Sequence, residues 1–164
     1  MASGRKRKSI DPARSTDPAA VRSTAISLLA RRDFASGELR GRLERKGFDA
    51  AAVAAAIMEL IEERSLNDAR YAANYVSYEA GRGHGPLRIS ADLKAFELPA
   101  ELIEAALAGG PDWRVLAREV RVRKFGSEPP ADWPEKARQA RFLQYRGFSS
   151  DHIRSALGAD VDLD

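Results

Sequence analysis

The chain contains no cysteine, which excludes a disulfide framework, a thiolate metal site and a cysteine nucleophile. It has only two histidines, His84 and His152, far apart and without the paired spacing of a metal-binding helix, so no metal or other cofactor is expected. No run approaches the ~18 apolar residues of a membrane span. The opening MASGRKRKSI places nothing apolar behind its basic cluster, unlike a secretory leader, so a cytoplasmic protein with no membrane contact is expected. Period-two alternation, the mark of a half-buried strand, is missing throughout.

Excess charge of one sign is also scarce. The formal charge is +3, but residues 1–16 carry five basic groups against one acid, leaving 22 basic and 23 acidic groups over the remainder. Affinity of that body for an acidic partner must therefore come from local patches. The basic arm, with Arg5, Lys6, Arg7 and Lys8, has too little apolar content to offset the entropy of ordering. Residues 1–17 are expected to be a disordered basic arm and 159–164 an acidic tail.

What remains is helical. Asp17 followed by Pro18 is a helix start, because Asp caps free amides and proline has no N–H to strand in the first turn. Val21, Ala25, Leu28 and Leu29 fall on one helical face, as do Val53, Ala56, Ile57, Leu60 and Ile61. Breaks occur at Gly47-Phe48, Gly81 to Pro86, Gly109 to Pro111 and Gly126 to Pro134, so the helices are short.

An internal repeat organises them. The segments LERKGFDAAAVAAAI, LKAFELPAELIEAAL and LQYRGFSSDHIRSAL align at a spacing of 50 residues. Four apolar columns recur: Leu43/Leu93/Leu143, Phe48/Leu98/Phe148, Val53/Ile103/Ile153 and Ile57/Leu107/Leu157. Each copy is preceded by another amphipathic helix. The expected fold is all-α, an elongated tandem array of three three-helix repeats over 18–65, 66–110 and 111–158, each repeat burying its stripe partly against the next. Truncating a fully buried column residue such as Leu43 or Phe148 to alanine is expected to cost ~2–5 kcal/mol.

Catalytic chemistry has little support. Glu59, Glu62, Glu63, Asp68, Glu101 and Glu104 read as solvated helix faces rather than paired catalytic carboxylates. His152 falls between column positions, which favours a helix-surface or packing role. The run Gly81-Arg82-Gly83-His84-Gly85-Pro86 lacks the preceding strand and following Lys-Ser/Thr of a phosphate loop, and reads as a flexible connection. No enzyme is expected. Basic patches carry more information. Residues 31–48 hold six basic groups against three acids and 111–148 nine against five, while 49–68 and 97–112 are acidic. Arg118, Arg121, Arg123 and Lys124 near Phe125, and Arg138, Arg141 and Arg146 beside Tyr145, mix cations with aromatics as single-strand binders do.

The segments SGELRGRLERKGF (36–48), LNDARYAANYV (66–76), GPLRISADL (85–93) and RFLQYRGFSSDHI (141–153), in this order and spacing, resemble the RecX regulatory proteins, and the likeness spans residues 20–158. One departure stands out: Lys-Gly-Phe and Arg-Gly-Phe in the outer copies are Phe96-Glu97-Leu98 in the middle one, so the middle helix is expected to end differently, lacking the glycine of a left-handed cap. The resemblance implies an inhibitor or modulator of the RecA recombinase; a monomer is expected, although composition leaves the oligomeric state open. Such a protein binds the RecA filament on single-stranded DNA and lowers filament growth, ATP hydrolysis, strand exchange and repressor cleavage. Charge and motif position nominate Arg40, Arg42, Arg45 and Lys46 in the first repeat, Arg70 and Arg88 in the second, and Arg118, Arg121, Arg138 and Arg141 in the third, as contacts to partner or nucleic acid. Two other readings stay open: a stand-alone DNA-binding protein of helix-turn-helix type, whose signature is steeply salt-dependent binding to naked DNA, and a helical-repeat adaptor for another protein.

Overall fold

The computed structural model describes residues 10–158. Among these residues every regular element is helical: α1 (Pro12–Ser15), α2 (Pro18–Leu29), α3 (Ser36–Arg45), α4 (Ala50–Glu62), α5 (Asp68–Gly81), α6 (Pro86–Ala95), α7 (Ala100–Ala108), α8 (Trp113–Phe125), α9 (Trp133–Arg146) and α10 (Ser150–Leu157). Helices α2–α4, α5–α7 and α8–α10 are the three copies of the repeat. The chain divides into two compact units after Tyr71, with α5 running through the boundary. The arm expected to be disordered over 1–17 is ordered from Ile10. Asp11 caps α1 through the Ala13 amide, Ile10 packs on the first core, and the Ser15 carbonyl accepts from the Asp49 amide at 2.9 Å. An apolar anchor and a backbone bond supply what composition alone did not reveal. Residues 1–9 and the acidic tail at 159–164 lie outside the described residues.

Helix starts follow from side chains that occupy free amides. Asp17 accepts from Ala19 at 3.0 Å, Asp49 from Ala52 at 3.1 Å, and Asp132 from Glu135 at 2.9 Å. Ala35 precedes α3 and cannot cap it. Asp68, at the head of α5, does so from outside, accepting from the Ser36 amide at 2.7 Å and the Ser36 hydroxyl at 2.5 Å. Asp68 is thus a half-buried structural acceptor and not the solvated carboxylate its helical position suggested.

The repeat columns form the cores. Leu43, Leu93 and Leu143 are fully buried, and the second and third columns are buried in all three copies. The fourth is buried at Ile57 and Leu157 but only half-buried at Leu107. In each copy the second helix ends in the same way: Phe48, Leu98 and Phe148 donate their amides back to the carbonyls of Leu43, Leu93 and Leu143 at 3.3, 3.2 and 3.1 Å. That closure requires a left-handed residue just before the donor. Gly47 and Gly147 take φ of +104° and +96°, and Glu97 takes +62°. The middle helix therefore ends like the others, contrary to expectation. A left-handed L-residue costs about 1–2 kcal/mol, which burial of Leu98 on the shared turn geometry outweighs.

In the second unit the connection at 81–86 is a packed joint rather than a flexible loop. Gly83, His84 and Gly85 are buried. The Gly85 amide donates to the Arg146 carbonyl at 2.8 Å and the Leu87 amide to the Gly147 carbonyl at 3.0 Å, bonding the second repeat to the third. A Cβ on Gly85 would lie 2.4 Å from the Gly147 carbonyl, and one on Gly147 would lie 2.4 Å from the Arg88 Cβ. The two glycines let the backbones touch. Buried His84 bonds the buried Glu79 carboxylate, which also receives Arg82 at 3.1 Å.

Candidate nucleic-acid and partner interface

The cationic residues separate into groups with different jobs. In the first unit, Arg40, Arg42, Arg45 and Lys46 lie on or just after α3 and are exposed. Arg32 and Arg42 stand over the Phe34 ring, at 3.7 and 5.7 Å from its centroid, where the ring face attracts cations. Arg32 also bonds Glu38, which holds the guanidinium above its ordinary pKa. Arg70 is exposed but engaged: it pairs with Asp33 at 3.2 Å and reaches the Arg64 and Ser65 carbonyls at 3.5 Å, clamping the α4–α5 turn.

The second unit holds the more concentrated site. Arg82, Arg123, Lys124 and Arg146 surround a cleft of about 150 Å³ that is lined also by Gly83, Val120 and Phe142. Arg146 lies 5.2 Å and Lys124 6.0 Å from the Phe142 centroid, and Phe142 meets Phe125 edge to face at 5.2 Å. Arg146 also donates to the Arg82 carbonyl, 64 residues away. Arg82 is neutralised by Glu79, whereas Arg123, Lys124 and Arg146 make no ion pair among the described residues. Three uncompensated cations around half-buried aromatic rings suit an anion attached to a flat ring, the chemistry of a phosphate next to a base. The glycine joint preorganises the cleft, because Arg82 and Arg146 sit on the two backbones that it bonds.

Of the nominated third-repeat residues, Arg138 borders this cluster. It lies 5.2 Å from the Phe125 centroid and pairs with Glu135 at 3.1 Å. Hydrogen bonds from Gln139 and then Arg138 hold the Glu135 carboxyl below its usual range. Arg118 lies elsewhere, sharing an open groove of about 490 Å³ with Arg114, Arg154 and Asp151. Arg141 lies beside an apolar groove between α9 and α10. Exposed Arg88 in α6 presses its backbone on Gly147.

Arg121 is turned inward. It is buried and donates to the Glu128 carbonyl and Gln139 Oε1 at 3.2 Å and to the Ser127 carbonyl at 3.4 Å, stapling the α8–α9 loop to α9. Its position on the inner face of α8, next to buried Val120, was the available signal. Arg82 was missed because it belonged to a segment that read as a loose connection. Its partner Arg146 is distant in sequence, and only the glycine joint brings them together.

His152 occupies the third position of α10. Its Nδ1 accepts from the Ser149 amide while the Ser149 hydroxyl accepts from the His152 amide, both at 3.3 Å, a reciprocal cap. Burial, then repulsion from Arg114, lowers its pKa from 6.5. The neutral ring is the form that can accept the bond. Among the described residues no three His, Cys, Asp or Glu side chains are grouped to hold a metal, and no helix is long and apolar enough to cross a membrane.

A tandem of three-helix repeats presenting cationic surfaces, one of them around aromatic rings, defines the chain as a helical-repeat protein. Three family models match its successive segments: RecX first three-helix domain at residues 22–60, second at 67–107 and third at 115–157. Regulatory protein RecX of Pseudomonas syringae pv. tomato is 42% identical over 143 residues, covering 87% of this chain and 92% of that protein. The Pseudomonas fluorescens protein of the same name is 43% identical, covering 84% and 90%. A crystal structure of regulatory protein RecX superposes with a TM-score of 0.73 at 19% identity, covering 95% of this chain and 80% of that one. RecX from Lactobacillus salivarius gives 0.71 at 21%, covering 85% and 94%. The chain belongs to the RecX family, a family of regulatory proteins.

Proposed function

We propose that this chain regulates the RecA recombinase by binding, as a cytoplasmic monomer, to its filament on single-stranded DNA. Binding lowers filament growth, ATP hydrolysis, strand exchange and repressor cleavage, and so modulates recombination and repair. The observation that carries the reading is family membership along most of the chain, together with a preorganised basic cleft that suits DNA within a protein filament. A repeat array acts here as a non-catalytic clamp. Its cations meet phosphates, and its remaining surfaces meet successive copies of a polymer.

The test is the rate of RecA ATP hydrolysis on single-stranded DNA, titrated with this protein. The expected result is a fall at well below one copy per RecA protomer. An unchanged rate at equimolar protein, with salt-sensitive binding to naked DNA, refutes the reading in favour of a stand-alone helix-turn-helix DNA binder. The basic-aromatic cleft is the observation that favours this second reading.

A further inference from the structure

We propose that the groove between α9, the start of α10 and the start of α6 receives a short segment of the protein partner in which bulky apolar side chains are flanked by acidic residues. The proposal rests on the reading that the chain acts by binding another protein, and it supplies the chemistry of one contact.

The groove has a volume of about 580 Å³, within the ~300–1,000 Å³ range of sites that enclose several apolar groups. Phe148 and Ile153, members of the third-repeat core, also line it. Around the same concavity stand Trp133 and Leu87, 70% and 57% exposed. Two large apolar side chains left in water at the edges of one concave site, one of them tryptophan, match the anchor positions that dominate protein interfaces. Lys136 and Arg141 also line the groove, and none of its lining residues is acidic. Neither cation is ion-paired among the described residues. An apolar site with uncompensated positive charge selects an apolar segment with negative flanks.

Two of the exposed apolar lining residues are anchored by hydrogen bonds of the fold. The Leu87 amide donates a hydrogen bond to the Gly147 carbonyl, and Trp133 opens a helix whose first turn is capped by Asp132. Rigid walls reduce the ordering cost of association. A nucleic-acid occupant fits less well, because a phosphate track needs successive cations and the convergent cations of this unit lie instead at the Phe142 cleft.

The experiment uses the full chain and a fluorescein-labelled peptide, GEDLLEEFLDEG, read by anisotropy beside a version with every acid replaced by lysine. The acidic peptide is expected to bind about tenfold more tightly than the basic one, Trp133→Ala to weaken it by about tenfold, and Arg141→Glu to abolish the preference for acid. Trp133 and Arg141 are exposed, so unchanged thermal midpoints verify that the variants fold. Equal binding of both peptides, or of the acidic peptide to parent and Trp133→Ala, overturns the proposal. Displacement of the peptide by oligo(dT) assigns the groove to nucleic acid and also overturns it. Tighter peptide binding by the Asp160→Asn, Asp162→Asn, Asp164→Asn triple variant assigns the groove to the chain's own tail and overturns the proposal in the same way. A second arm measures retention on RecA filaments. Loss with the two groove variants supports the proposal, and retention of both at the parental level refutes it while leaving the RecA reading intact. Failure of the parent to engage filaments refutes the RecA reading, and the peptide arm then decides the groove alone.

Discussion

Gly147→Ala should damage the second unit far more than the matching Gly47→Ala damages the first. Both glycines follow the second helix of their repeat with φ near +100°, so both substitutions force an L-residue into left-handed backbone at about 1–2 kcal/mol. At Gly47 the added Cβ meets only Ile10, at 3.7 Å from its nitrogen and 3.8 Å from its Cβ, which is ordinary contact. At Gly147 it would lie 2.4 Å from the Arg88 Cβ, 2.7 Å from the Arg88 nitrogen and 3.1 Å from the Arg88 Cα. Backbone cannot rotate aside as the end of a flexible side chain can. Relief of the clash therefore costs a further ~1–3 kcal/mol of overpacking, or opens the joint and forfeits its two backbone bonds at about 1 kcal/mol each. The expected loss is ~2–5 kcal/mol for Gly147→Ala against about 1–2 kcal/mol for Gly47→Ala. Urea unfolding of each variant measures both, and hydrogen exchange at the Gly85 and Leu87 amides reports whether the joint has opened. Equal losses within ~0.5 kcal/mol, with both amides still protected, would refute the close-approach argument.

Other expectations follow from the placement of the charges. The double variant Arg123→Ala, Lys124→Ala should weaken single-stranded DNA binding and reduce its log–log salt slope by about 1.4, at ~0.7 for each phosphate no longer neutralised; an unchanged slope in a filter-binding series removes the cleft from the DNA path. Arg121→Met should leave that slope alone but lower stability by ~1–3 kcal/mol, because the Ser127 and Glu128 carbonyls and the Gln139 side chain lose their donor. A changed slope with unchanged stability would show that Arg121 meets phosphate after all. The folded-state pKa of His152 lies below its unfolded value of 6.5, so its contribution to stability is present above pH 6.5 and is lost as the pH falls through the lower folded value. Glutamine can form the same cap without titrating, so thermal midpoints of the parent should fall relative to His152→Gln between pH 7.5 and 5. Parallel midpoints would contradict the assigned role.

The repeat was legible in the sequence because core packing is periodic. A column such as Leu43, Leu93 and Leu143 must be apolar wherever the same three helices close on each other, and that requirement is written in residue type and spacing alone. The helix start at Asp17 was equally local, since a carboxylate reaches only the next few amides. Family resemblance rested on those same local segments. Glu97 shows the limit of local rules: its type argued against a left-handed cap, and the burial of Leu98 decided otherwise. Asp68 capping α3, His84 paired with Glu79, and Arg121 turned inward also depended on neighbours that residue type does not specify. The Phe142 cleft shows this best, for Arg82 and Arg146 meet only because Gly85 and Gly147 have no Cβ to keep two distant backbones apart. Sequence determined which surfaces had to be buried and where charge was available, because solvation and helix periodicity are properties of short segments. Tertiary structure alone decided which charges converge, because that depends on the contact between backbones far apart in the chain.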